Sequence, residues 1–128
     1  MFQKTAQSTL TIRERPDNII VISAADTSSE TLQHWEQYAT KVMDGISTPQ
    51  KRLFDLRNLR NISVDAVRTA VRLRRHPNAD LMYNAILTSN STVLSLVRAA
   101  LSVSAGGHFK LFVNEADAIT WLHDKVPD

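Results

Sequence analysis

A repeated alternation narrows the folds open to this chain more than any other feature. Ile19-Ile20-Val21-Ile22, the stretch from Lys51 to Leu56 with Leu53, Phe54 and Leu56, the stretch from Leu81 to Thr88, and Phe109 to Val113 are short and largely apolar. Each is followed by a longer segment whose apolar residues recur three and four apart. The short runs read as strands and the longer segments as amphipathic helices. Strands alternating with helices imply a mainly parallel sheet with right-handed crossovers. One further strand comes first, because Thr9 to Glu14 alternates Leu10 and Ile12 with Thr11 and Arg13. Arg15-Pro16-Asp17-Asn18 then supplies turn chemistry, since proline fixes φ and Asp and Asn tolerate turn geometry. The expected architecture is one α/β domain over residues 1–128, with a single mixed, mainly parallel five-stranded sheet and four helices in the order β-β-α-β-α-β-α-β-α.

Helix boundaries follow from capping chemistry. Thr27-Ser28-Ser29-Glu30 has capping-box spacing ahead of a helix carrying Leu32, Trp35, Tyr38, Ala39, Val42 and Met43, which Gly45 is expected to close at positive φ. Ser63, Asn90 and Asn114 are the expected N-caps of the next three helices, and Asp65 suits the first turn through the helix dipole. Val64, Val67, Ala70 and Val71 are the expected buried stripe of the second helix, which Pro77 stops by His76. The third helix is expected to reach about Ser104 and to be closed by Gly106-Gly107.

Composition removes several function classes. With no cysteine there is no disulfide, thiolate nucleophile or cysteine metal site, which also fits a reducing compartment. The N-terminus lacks the apolar core of a signal peptide, and no stretch approaches the ~20 apolar residues of a membrane span, so the expected location is cytoplasmic. Gly45, Gly106 and Gly107 are the only glycines, which excludes a dinucleotide fingerprint and a phosphate loop, and there is no G-x-S-x-G elbow. His34, His76, His108 and His123 are far apart and none has a metal-ligand spacing. The expectation is a non-enzymatic chain with no metal and no cofactor.

Two segments remain as candidates for binding. From Ser91 to Ala105 the third helix has Arg98 as its only charge. Val93, Leu94, Val97, Ala100 and Leu101 form one apolar stripe, and Leu96, Ala99 and Val103 form much of a second. A helix lying on a sheet needs only one such stripe. The second is expected to meet a protein partner, or a second copy of the chain in a homodimer, through the third helix and its adjoining loops. The alternative is an apolar, lipid-like small molecule carried in a groove between the third helix and the sheet. The other segment, residues 51–76, holds eight Lys or Arg and two acids, a net +6 in a chain whose total is +2. Arg68, Arg72 and Arg75 share one helix face, and Arg57 and Arg60 lie after the third strand, where open α/β sheets place ligands. These five arginines read as an anion-contact patch or as a solvated face. Nucleic acid is not favoured, because aromatic residues do not interleave with them.

Leu53-Phe54-Asp55-Leu56-Arg57 with its short loop and helix, and the ending Phe112-Val113-Asn114-Glu115-Ala116-Asp117-Ala118-Ile119-Thr120-Trp121-Leu122, resemble the STAS domains. Among these the chain is most similar to the SpoIIAA-like branch, sometimes grouped with apolar-ligand-binding folds of the CRAL-TRIO type. The resemblance spans nearly the whole chain and implies a bacterial interaction module that acts by binding. In the anti-sigma-factor antagonists of that family, a hydroxyl in an Asp-Ser-Ser/Thr-Gly turn is phosphorylated by a partner kinase. Counting from Asp55, that position lands on Asp65, which has no hydroxyl, while Ser63 lies two residues earlier. A kinase switch of that kind is therefore not expected here.

Overall fold

The structure, a computed structural model, describes residues 7–103 and 105–127. The elements are β1 (Thr11–Glu14), β2 (Ile19–Ser23), α1 (Ser29–Gly45), β3 (Gln50–Asp55), α2 (Val64–Arg74), β4 (Met82–Leu87), α3 (Ser91–Leu101), β5 (His108–Phe112) and α4 (Glu115–Lys125). The five strands form one sheet in the order β1-β2-β3-β4-β5. β1 is antiparallel to β2, and every later pairing is parallel. Asn18 takes a φ of 66° in the β1–β2 turn, a conformation Asn accepts more readily than most residues.

Successive crossovers of one hand place their helices on one face of the sheet. α1, α2 and α3 accordingly pack side by side, while α4 covers the opposite face. Beneath α4 lies a continuous core of Ile19, Val21, Leu53, Ala85, Leu87, Ala118 and Leu122. The other face has no such continuity. Ala39, Met43, Ala79 and Met82 cluster under α1, whereas Leu59, Ile86, Val93 and Val97 form a separate group under α3. Two rows of side chains cross the sheet on this face. One runs Ile20, Arg52, Asn84, Phe109, and the next runs Ile22, Phe54, Ile86, Leu111.

The caps at Ser63, Asn90 and Asn114 form as expected, each side chain accepting from the backbone N–H three residues on. Other local expectations shift. The N-cap of α1 is Ser28 rather than Thr27, and Thr27 instead accepts a hydrogen bond from the Ser63 N–H, tying the loop before α1 to the loop before α2. Gly45 is the last residue of α1 and does not take positive φ, because the chain leaves through an extended Ile46. Val64 is 66% exposed, and α2 buries Ala66 and Thr69 instead. Val67, Ala70 and Val71 of that stripe are half-buried, and Val67 and Ala70 face the interior. α3 stops at Leu101, Ser104 lies outside the described residues, and Gly107 at φ 95° turns the chain into β5.

Candidate functional site

The gap between the two clusters on the three-helix face is a cavity of about 150 Å³, partly open to solvent. Its floor is the sheet, with Arg52, Phe54, Asn84, Ile86 and Phe109. α1 contributes Trp35 and Ala39, α2 contributes Ala66 and Ala70, and α3 contributes Leu96, Val97 and Ala100. Part of this space comes from Ala39, Ala66, Ala70 and Ala100, short side chains on the helix wall. Short side chains on three neighbouring helices leave room that leucine would fill.

The wall is almost entirely apolar apart from a few groups, and Arg52 is the exceptional one. Its side chain is 3% exposed, and neither Nε nor Nη2 has a hydrogen-bond partner among the described residues. Burial pushes the guanidinium below the usual arginine range, with Tyr38 the opposing influence. Arginine nonetheless keeps its charge at neutral pH. Burying an uncompensated ion costs several kcal/mol, and proteins rarely accept that without a partner. The Trp35 indole Nε1–H is likewise buried without an acceptor among the described residues, and its ring meets Phe54 edge-on at 6.1 Å. The third buried polar group of the floor, Asn84, is engaged: its Nδ2 donates to the carbonyls of Met82 and His108.

A second buried arginine shows the contrast. Arg74 is 9% exposed, but its guanidinium donates to the carbonyl oxygens of Ala100, Val103, Ala105 and Gly106 at 2.9–3.3 Å. It thereby caps the C-terminal end of α3 and stands 5.2 Å over the Phe109 ring. Sequence reasoning missed both residues, having counted them only as part of a basic segment. A signal was present for Arg52: consecutive residues of a covered strand face opposite ways, so Lys51-Arg52 must bury a charge on each side of the sheet. Lys51 is 3% exposed on the α4 side, where its Nζ lies 3.2 Å from His123. His123 reaches Asp17 at 3.0 Å, and Asp17 accepts from Arg15.

The residues singled out from the sequence do not converge on one spot. Leu96 is half-buried and lines the cavity, while Ala99 and Val103 remain exposed on the outer face of α3. Arg57 is held by Asp55 at 2.8 Å and lies 3.6 Å from Glu115. Arg72 makes a two-point contact with Glu36, and Arg68 lies 3.5 Å from Asp65, itself exposed in the first turn of α2. Arg60 and Arg75 are exposed. Among the described residues there is no cluster of His, Asp and Glu that could hold a metal ion, and no helix is long and apolar enough to cross a membrane.

No protein-family model and no curated protein matches the chain. Solved structures do. An uncharacterised protein of the DUF3478 family from Shewanella loihica, described as having a SpoIIAA-like fold, superposes with a TM-score of 0.65 at 21% identity, covering 95% of this chain and 98% of that one. A variant of RsbS from Moorella thermoacetica superposes with a TM-score of 0.64 at 12% identity, covering 94% of this chain and all of the other. The likeness extends over essentially the full length of each neighbour, and the element order agrees with the sequence-derived one throughout. The chain has a SpoIIAA-like, STAS-type fold.

Proposed function

We propose that this chain is a non-enzymatic binding module that takes an apolar small molecule between its three-helix layer and its sheet. The observation that carries this reading is the partly open, alanine-walled cavity, which divides what would otherwise be one core. A cavity near 150 Å³ accepts a benzene-sized body. An environment-sensitive apolar dye such as N-phenylnaphthylamine should brighten on the protein and be displaced by toluene. Ala70→Phe, which fills the space from α2, should abolish the signal while leaving the circular dichroism spectrum intact. A dye response unchanged by Ala70→Phe would place binding elsewhere and remove the proposal.

A second reading rests on a different observation. Ala99 and Val103 stay exposed on α3, so the outer half of its second apolar stripe is uncovered. The chain shares its STAS-type fold with RsbS, and the STAS resemblance in its sequence implies an interaction module. Protein contact through α3 and its adjoining loops, with a second copy as the nearest candidate, fits both facts. Sedimentation equilibrium over a micromolar concentration series should reveal a dimer that Val103→Glu dissociates. A monomer at every concentration would exclude self-association through this face.

A further inference from the structure

We propose that the cavity is built for an apolar molecule ending in a carboxylate, with Arg52 as its ionic partner. The inference deepens the small-molecule reading above and rests on it. Its first support is the mismatch at Arg52 itself. A hydrocarbon-binding cavity is served best by a wall of hydrocarbon, yet the middle of this sheet carries a guanidinium that is 3% exposed and lacks partners at Nε and Nη2. A methionine there would avoid the desolvation that lowers the Arg52 pKa. The charge costs the ligand-free fold stability and gains a role only if an anion joins it.

The second support is the geometry of the idle donors. Nε–H and one Nη2–H of a guanidinium point the same way and match the two oxygens of a carboxylate. Three other arginines in this molecule use that same edge for that purpose. Arg15 holds Asp17 through Nε at 3.0 Å and Nη2 at 3.1 Å. Arg57 holds Asp55 at 2.9 and 2.8 Å, and Arg72 holds Glu36 at 2.8 and 3.0 Å. In Arg52 the corresponding edge is idle. No carboxylate lies among the groups acting on Arg52, which are burial and Tyr38 alone. Asp26, the carboxylate that lines this cavity, accepts from Thr9, Ser28 and Thr31, so the counter-ion proposed for Arg52 comes with the ligand. The Trp35 indole N–H, also without an acceptor among the described residues, belongs to a side chain that lines the cavity from α1 and adds a neutral donor beside the apolar part. A carboxylate entering among the helices would stay ionised against Arg52, its alkyl or aryl portion would fill the space between Trp35, Ala70 and Leu96, and any longer tail would extend towards the open side.

Octanoate and octanol share a chain and differ in the head group, so they separate this inference from the one it rests on. Binding is read by Trp35 fluorescence in a Trp121→Phe background, which leaves Trp35 as the only tryptophan. Octanoate should bind at least about tenfold more tightly than octanol, the scale of one charge-assisted contact in a dry site. Arg52→Met should erase that preference while keeping octanol binding, and Arg52→Lys should retain part of it. Arg52→Met should also raise the thermal midpoint of the ligand-free protein. Equal affinity for the two probes would overturn the carboxylate inference and leave an apolar cavity site. Failure of both to bind would remove the cavity reading as well. A fall in the Arg52→Met midpoint would mean that the protein itself satisfies Arg52, and would also overturn the inference.

Discussion

Arg52 and Arg74 lie on the same face of the molecule, and burial gives them opposite roles. Arg74 satisfies carbonyls that the end of α3 leaves without intrahelical partners. Arg74→Met should therefore lower stability by about 2–3 kcal/mol, since several buried acceptors lose a charged donor together. Urea denaturation checks this, and a loss below about 0.5 kcal/mol would mean that water replaces the guanidinium there. Asp17 gives the pH dependence. Its hydrogen bonds from Arg15, and then from His123, hold its carboxyl well below the ordinary range. A carboxyl depressed in the folded state stabilises the fold above its unfolded pKa, and that contribution fades as the pH falls below about 4. The urea midpoint of the wild-type protein should drop in that range more steeply than that of Asp17→Asn. The burial of Arg52 was legible from its place beside Lys51 in a covered strand. The roles of Arg74 and Asp17 were not, because charge read along a segment does not tell a helix arginine that meets distant carbonyls from one on the surface. The difference is made by elements distant in sequence, such as the end of α3 reaching Arg74.

At the scale of single elements, local chemistry was most informative where it is self-contained. The caps at Ser63, Asn90 and Asn114 need only a side chain and an N–H three residues away, so sequence places them correctly. Ser63→Ala should cost about 1 kcal/mol in chemical denaturation without altering ligand or partner binding. A larger loss would show that the link from Thr27 to the Ser63 N–H depends on the cap. Gly45 and Val64 differ from expectation for a shared reason: each depends on what the neighbouring element offers, and Val64 at the start of α2 stays exposed. The second apolar stripe of α3 illustrates this: Leu96 turns into the cavity while Ala99 and Val103 do not.

Across the whole molecule the element order was readable, because alternation of period survives any uncertainty at the ends of elements. The cavity was read only as an apolar groove between the third helix and the sheet, because its full wall is a property of three helices and a sheet jointly. The anion-contact reading of Arg57, Arg60, Arg68, Arg72 and Arg75 changes at this scale too. Arg57, Arg68 and Arg72 already have acidic neighbours within the chain. Converting Arg68 and Arg72 together to glutamate should shift stability by no more than about 1 kcal/mol, because exposed ion pairs contribute little. Uptake of octanoate should be unaffected and insensitive to moderate salt. A marked salt dependence abolished by the double reversal would instead make the basic face part of the ligand's approach.

Strand order that repeats chain order has a consequence for how the molecule is made. Each strand neighbours the one before it in the chain, so the sheet can grow one βα unit at a time from the β1–β2 hairpin as the chain is made. α4 is different, since it follows all five strands and covers Ile19, Val21, Leu53, Ala85 and Leu87, residues contributed by three of them. Until it docks, the growing sheet has one finished side and one greasy side. A chain cut short before Glu115 would leave its α4-facing core bare, a substrate for chaperones rather than for the ligand.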